Sequence, residues 1–231
     1  MSGDLADAPV GYRIAESHER FAGKVIGVRT DSVEMPDGQC VERDVVVHPG
    51  AVGVIALDDD ERVLLVQQYR HPPGRLLWEP PAGLLDVDGE PPHETAAREL
   101  YEEAGYRAAD WLVLVDFFTS PGMSDEAMRI YLARSLTPVA ESERFAGEHE
   151  EADMPVAWLP LDEAVAKVLT GDLHNPTTVT GVLAAAAARA TGYSTLRPAE
   201  APWPERPTDA GAATARPSAP ARRAPARPAP P

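Results

Sequence analysis

The stretch PAGLLDVDGEPPHETAARELYEEAGY, residues 81–106, joins a loop rich in glycine and proline to a helical pattern. Its end, RELYEEAG, places Glu99, Glu102 and Glu103 within five residues of one another. On a helix these carboxylates fall within an arc of about 100°. Like charges three and four positions apart repel by a few tenths of a kcal/mol per pair. The cluster therefore needs something that compensates its charge.

The flanks of this cluster favour a bound cation over a solvated acidic helix face. Arg98 lies four residues before Glu102 and offsets part of its charge. The PAG loop brings a backbone carbonyl near the start of the helix, and Gly105 ends the helix. Oxygen ligands from a loop and from one helical face suit a hard cation such as Mg²⁺. The pattern indicates a divalent metal site.

At these positions the sequence resembles the Nudix box, the loop–helix–loop motif of hydrolases that act on nucleoside diphosphates linked to another group. Six residues separate Gly83 from Glu90, one more than in the usual form, which predicts a longer loop. The spacing after Glu90 is regular, and Tyr106 occupies the usual apolar position. The matching residues are Gly83, Glu90, Arg98, Glu99, Leu100, Glu102, Glu103 and Gly105.

Further segments resemble the ADP-ribose pyrophosphatase branch of that family. RDVVVHPGAVGVIAL, VLLVQQYRHP, WEPPAG and FFTSPGMSDE occur in the same order as in the branch, and the similarity extends over about residues 25–169. The resemblance implies a Nudix α/β/α sandwich and a homodimer that exchanges N-terminal strands. It also implies hydrolysis of ADP-ribose to AMP and ribose 5-phosphate.

The resemblance assigns the metal and substrate contacts as well. It implies two or three Mg²⁺ or Mn²⁺ ions, and it implies that Arg70 binds the diphosphate, although a surface ion pair is the alternative. The resemblance also implies that Arg43 of the partner subunit completes the site, that Glu79 binds a sugar hydroxyl and that Met123 flanks the base. The alternatives are ordinary strand-end charges for Arg43 and Glu79 and core packing for Met123. The implied metal ligands are the Ala82 carbonyl, Glu99, Glu102 and Glu103.

In this branch the base that activates water is commonly a glutamate outside the box. The corresponding segment is GEHEEADMPVAW, in which Glu148 fits the spacing best and Glu150 and Glu151 are the rivals. An acidic solvated loop is the alternative interpretation of this run. Two other functions stay open for the whole chain: hydrolysis of another nucleotide sugar such as GDP-mannose, and a sensor that binds ADP-ribose without hydrolysing it.

Composition limits the other possibilities. The chain has 231 residues, of which 44% are hydrophobic and 25% charged, as in a soluble globular protein. A net charge of −16 disfavours nucleic acid as a partner. The N-terminus has no apolar signal region, and the longest apolar run, GVLAAAAARA, is too short to span a bilayer. With Cys40 as its single cysteine, the chain is expected in the cytoplasm, away from membranes.

Periodicity predicts an α+β fold with a mixed sheet. Residues 1–46 form an N-terminal β-rich segment, and residues 47–195 form the hydrolase domain. Helices are predicted at about residues 94–104, from Asp162 to a stop at Gly171, and in NPTTVTGVLAAAAARATG. Residues 196–231 are rich in Pro, Ala and Arg, with almost no large apolar side chains. We expect them to form a disordered tail that activity does not require.

Overall fold

The computed structural model describes residues 5–145 and 154–207. Strands and helices are mixed along these residues, and a short 3₁₀ helix spans Glu141–Glu143. The predicted α+β class with a mixed sheet is confirmed. The strands are β1 Ile14–Ala22, β2 Gly27–Glu34, β3 Cys40–Val47, β4 Ala51–Ala56, β5 Arg62–Arg70, β6 Arg75–Glu79, β7 Ala82–Leu84, β8 Tyr106–Phe118, β9 Ala127–Pro138, β10 Val156–Pro160 and β11 Arg197–Pro198, and the helices are α1 Pro92–Ala104, α2 Leu161–Thr170 and α3 Pro176–Arg189.

The strands form three sheets. The largest has the order β11-β8-β9-β4-β7, and the pair β4–β9 in it is parallel while the other pairs are antiparallel. A second sheet has the order β10-β5-β6, and the N-terminal sheet has the order β1-β2-β3. The parallel pair between antiparallel neighbours makes the central sheet mixed, as predicted.

Strand β4 divides the core into two layers. Ala51 and Ile55 belong to an apolar cluster with residues of α2 and α3. Val52, Val54 and Ala56 belong to a second cluster with residues of α1. Because successive side chains of a strand point to opposite faces, this alternation puts helices on both sides of the sheet. The result is the predicted α/β/α sandwich.

Helix α1 carries the glutamate cluster and is fixed at both ends by its sequence. Pro92 is its first residue, a position where proline loses no helical hydrogen bond. Gly105 follows the last turn with φ 68°, in the left-handed region that glycine adopts without steric cost. Its amide donates to the Tyr101 carbonyl at 3.0 Å. The predicted start at residue 94 was two residues late, while the predicted end at Ala104 was correct.

The other two helices also follow their end signals. Helix α2 begins at Leu161, one residue before the predicted start, and stops at Gly171, which has φ 79°. Asn175 caps α3, since its side chain accepts a hydrogen bond from the Thr178 amide at 3.0 Å. Helix α3 has 14 residues and is about 21 Å long. Among the described residues, no helix is both long enough and apolar enough to span a membrane.

The N-terminal sheet is joined to the hydrolase domain through the loop between β8 and β9. The Val46 amide donates to the Met123 carbonyl at 2.8 Å, and the Asp125 amide donates to the Val46 carbonyl at 3.2 Å. The His48 amide donates to Oδ1 of Asp125 at 2.9 Å. The end of β3 therefore fixes the backbone of the loop that carries Met123.

The segment predicted as a tail begins differently from expectation. Residues 197–207 are described, and β11 pairs with Leu112 and Val113 of β8. Ala199 is buried, and Trp203 packs against the apolar cluster that also contains residues of α1. One aromatic ring and several alanines thus supply the apolar contacts that a Pro- and Ala-rich composition did not predict. The division of the chain at residues 46 and 195 stays a prediction.

Candidate active site

Arg98 lies at the centre of the carboxylate cluster. Its Nη1 donates to Oε1 of Glu99 at 2.6 Å and to Oε2 of Glu102 at 3.2 Å. Its Nε and Nη2 donate to the two carboxylate oxygens of Glu90 at 3.3 and 3.2 Å. Burial lowers the pKa of Arg98, but the hydrogen bond to Glu90 and the charges of Glu99 and Glu102 outweigh burial and raise it. The guanidinium thus stays charged and holds three carboxylates together.

Glu90 takes part in this cluster despite the longer loop that precedes it. The hydroxyl of Thr95 donates to its Oε2 at 2.8 Å, and Thr95 is fully buried. With Arg98 on its other side, the Glu90 carboxylate is fixed against the first turns of α1. Sequence reasoning missed Thr95. Its only signal was a hydroxyl in the first turn of the helix, five residues after Glu90.

Gly83 is required by the close approach of the Glu99 side chain. A Cβ atom at Gly83 would lie 2.1 Å from Oε1, 2.3 Å from Cδ and 2.7 Å from Cγ of Glu99. Gly83 also pairs with Val52 of β4, so the central sheet holds its backbone. A side chain at this position would therefore have to displace the carboxylate from the space in which it now sits.

Glu103 ties the end of the box helix to the start of the loop. Its Oε2 accepts a hydrogen bond from the Ala82 amide at 2.9 Å. Ala82 in turn pairs with Gly53 of β4. The strand–loop segment and the helix, both predicted to contribute metal ligands, thus meet at the position that the sequence predicts.

The cluster has the chemistry of a divalent metal site. One guanidinium charge faces the carboxylates of Glu90, Glu99 and Glu102, and Glu103 directly follows Glu102 on the same helix. Within the described residues no three acidic, His or Cys side chains are grouped closely enough to hold an ion. Glu99 and Glu102 contact Arg98, and Glu103 contacts the Ala82 amide. Carboxylate and carbonyl oxygens are nevertheless the ligands that hard cations take, so the donor set fits.

Arg70 and Glu79, predicted as separate substrate contacts, form a two-pronged ion pair. Nε of Arg70 lies 2.9 Å from Oε1 of Glu79, and Nη2 lies 2.5 Å from Oε2. Glu79 is 2% exposed, whereas the Arg70 side chain is 42% exposed. The buried carboxylate therefore orients a guanidinium that reaches solvent. Their roles toward a substrate stay predictions.

The remaining predicted residues lie on β3, in the loop between β8 and β9, or outside the described chain. Arg43 lies on β3, opposite Asp31, and its Nη1 donates to the Glu42 carbonyl at 3.2 Å. The side chain of Met123 is exposed, although its backbone is fixed by β3. The predicted base and its two rivals, Glu148, Glu150 and Glu151, lie outside the described residues.

With fold and site geometry established, comparison with known proteins identifies the family. The NUDIX domain model matches residues 47–178 of this chain. The chain therefore belongs to the NUDIX family, whose hydrolases generally need divalent metal ions. The predictions of the family and of a hydrolase are confirmed.

Two named relatives and one solved structure show what this chain is similar to. The chain is 49% identical over 197 residues to the ADP-ribose pyrophosphatase of Mycobacterium tuberculosis, covering 85% of this chain and 93% of the relative. It is 38% identical over 167 residues to the methanol dehydrogenase activator of Bacillus methanolicus, covering 72% and 88% of the two chains. A crystal structure of an ADP compounds hydrolase shares the fold, with a TM-score of 0.66, 22% identity, and coverage of 81% of this chain and 99% of that chain.

Replacing Gly83 by alanine tests whether the position of the Glu99 carboxylate matters. The new Cβ would displace the side chain of Glu99, whose atoms are the three nearest to that position. We expect metal-dependent hydrolysis to fall about 100-fold and the thermal midpoint to change by no more than about 2 °C. The measurements are kcat/KM at saturating Mg²⁺ and thermal unfolding.

Gly11→Ala is the matched control, because no atom lies within 4 Å of a Cβ at that exposed position. It should retain full activity and stability. Full activity of Gly83→Ala would show that the displaced Glu99 carboxylate has no part in catalysis.

Proposed function

We propose that this chain hydrolyses the pyrophosphate bond of ADP-ribose to AMP and ribose 5-phosphate with divalent metal ions. The observation that carries the proposal is the carboxylate cluster that Arg98 gathers beside the Ala82 loop. The identity of 49% to an ADP-ribose pyrophosphatase over 85% of the chain supports the choice of substrate.

The metal site is proposed at the Ala82 carbonyl and the carboxylates of Glu99, Glu102 and Glu103. Two or three Mg²⁺ or Mn²⁺ ions held there would offset the charge of the diphosphate and lower the pKa of a bound water. Arg98 keeps the carboxylates of Glu99 and Glu102 on one side of α1. The bond from the Ala82 amide fixes Glu103 against the loop, so that loop and helix keep their relative positions.

The chain's own side chains supply the rest of the chemistry. Glu148, with Glu150 and Glu151 as rivals, is proposed to take the proton from the attacking water. Arg70 is proposed to bind the diphosphate, because the buried Glu79 already orients its guanidinium toward solvent. A guanidinium held in this way loses little side-chain entropy when it binds phosphate oxygens.

A homodimer is proposed because the N-terminal sheet exposes apolar side chains. All nine residues of β1 are exposed, among them Ile14 and Phe21, which expose half of their surface. Burial of such side chains against a second copy would bring Arg43 of the partner subunit toward the site. Light scattering of the purified chain should give twice the mass of 24.8 kDa. A monomer mass at micromolar concentration would rule out strand exchange and, with it, the proposed role of Arg43 in the partner's site.

Product analysis with a panel of substrates tests the activity itself. ADP-ribose, GDP-mannose and NADH are incubated with the purified chain, with and without Mg²⁺, and the products are separated. We expect AMP to appear fastest from ADP-ribose and only with the metal, because the carboxylates of Glu90, Glu99 and Glu102 outnumber the Arg98 guanidinium that they contact and would repel a diphosphate without bound cations.

Each other outcome of the panel has a defined meaning. Faster turnover of GDP-mannose would keep the mechanism and replace the substrate. Binding of ADP-ribose without turnover would favour the sensor and reject the hydrolase. Turnover that does not depend on metal would reject the proposed role of the carboxylate cluster.

Glutamine substitutions separate the metal ligands from the base. Glu103→Gln removes the charge of a proposed ligand and should lower turnover about 100-fold or more. Glu148→Gln should lower kcat by about 10²–10⁴-fold with little change in KM, as expected for loss of a general base. Both are measured by steady-state kinetics with ADP-ribose across a Mg²⁺ titration.

Glu94→Gln is the control for Glu103→Gln, because Glu94 is exposed on the same helix. It should keep activity at the level of the unaltered chain. Unchanged turnover of Glu103→Gln would take Glu103 out of the metal site. A larger loss in Glu150→Gln or Glu151→Gln than in Glu148→Gln would reassign the base.

A further inference from the structure

A buried arginine outside the active site binds backbone carbonyls of the C-terminal segment. Arg129 of β9 is 1% exposed. Its Nε and Nη2 donate to the two oxygens of Asp116, its partner on β8, at 2.7 and 2.9 Å. Its Nη1 donates to the Ala201 carbonyl at 2.7 Å, and Nη2 also donates to the Pro202 carbonyl at 3.0 Å. A buried guanidinium is tolerated only when its donors are satisfied in this way.

The same segment makes a further contact with each member of the Arg129–Asp116 pair. The Trp203 ring lies over the guanidinium of Arg129, with 4.7 Å between Cζ and the ring centroid. Nη2 of Arg197 donates to Oδ2 of Asp116 at 2.7 Å. The ring shields Arg129 from solvent, and the second arginine adds a positive charge beside Asp116. Residues 197–207, here called the C-terminal strap, thus add further contacts to the ion pair between Asp116 of β8 and Arg129 of β9.

The strap covers the face of the sheet on which the box helix sits. Ala199 and Trp203 belong to the same apolar cluster as Ala96 and Leu100 on the buried side of α1. Arg129 lies two residues before Tyr131, another buried member of that cluster, and therefore on the same face of β9. α1 and the strap are thus parts of one layer.

The far end of the strap reaches the base of the box loop. Cδ of Pro207 lies 3.3 Å from the position that a Cβ would take at Gly50, whose φ is 85°. The Gly50 carbonyl accepts a hydrogen bond from the Leu85 amide at 3.0 Å. Leu85 directly follows β7, which contains Gly83. The strap therefore borders the layer of the box helix at one end and the box loop at the other.

We infer that the C-terminal strap is an integral part of the hydrolase domain and that Arg129 is the positioning residue through which it holds the box helix in place. Only residues after 207 would then be dispensable, which reverses the expectation that activity does not require residues 196–231. The inference does not depend on which nucleotide the site hydrolyses.

Two truncations of the full chain test the strap. A chain that ends at Pro207 keeps every contact described above, whereas one that ends at Leu196 loses all contacts made by residues 197–207. We expect the first to match the full chain in thermal midpoint and the second to unfold at least about 5 °C lower or to fail to fold. Equal midpoints for all three chains would overturn the inference.

Substitutions within the strap keep the test decisive when the shorter chain does not fold. Trp203→Ala removes the ring over Arg129, and Glu205→Ala changes an exposed side chain of the same segment. We expect a lower thermal midpoint for Trp203→Ala and an unchanged thermal midpoint for Glu205→Ala. Equal behaviour of the two variants would contradict a role for the strap.

Hydrogen exchange separates positioning from general stability. Amide exchange is measured in the Trp203→Ala and Glu205→Ala chains without metal or substrate. For Trp203→Ala, exchange should accelerate by at least about threefold in α1, and by less in α3 on the opposite face of the sheet. The Mg²⁺ concentration for half-maximal activity should rise with it. Equal acceleration in both helices, with an unchanged Mg²⁺ requirement, would leave only a general loss of stability and reject the positioning role.

Discussion

The active site depends on one guanidinium that holds several like charges together. Arg98 forms ion pairs with the partly buried carboxylates of Glu90, Glu99 and Glu102. Charge-assisted hydrogen bonds contribute roughly 1.5–3 kcal/mol each, enough to offset repulsion between neighbours on a helix. The arrangement offsets the repulsion while leaving an excess of negative charge on this side of the helix.

The two-layered core explains how this charge is held in place. The box helix is bound to the sheet by apolar contacts on its buried side, and its acidic side meets the loop at Ala82 and Gly83. Because the loop strand pairs with β4, the positions of loop and helix are both fixed relative to the same central strand. Small displacements of either would separate the groups that we propose as metal ligands, and a residue without a side chain at position 83 leaves room for Glu99.

Prediction from sequence succeeded where the chemistry is local. The contact between Arg98 and Glu102 follows from their spacing of four residues on a helix, and Gly105 marks the end of the helix by its conformation. Sequence could not predict that Arg70 and Glu79 pair with each other, because their meeting depends on the register of β5 and β6. Composition could not predict the strap either. It is held by contacts of a tryptophan ring and two backbone carbonyls with an arginine that is distant in the sequence.

Arg129 and the carbonyls that it binds are separated by 72 and 73 positions along the chain. At the usual rate of synthesis, about 5–20 residues per second, the arginine exists for several seconds before Ala201 and Pro202 have been made. During that interval β9 carries a charged side chain that has Asp116 beside it in the sheet but whose partners in the strap do not yet exist. The sheet face under the box helix can therefore close only after residues 197–207 have also been made.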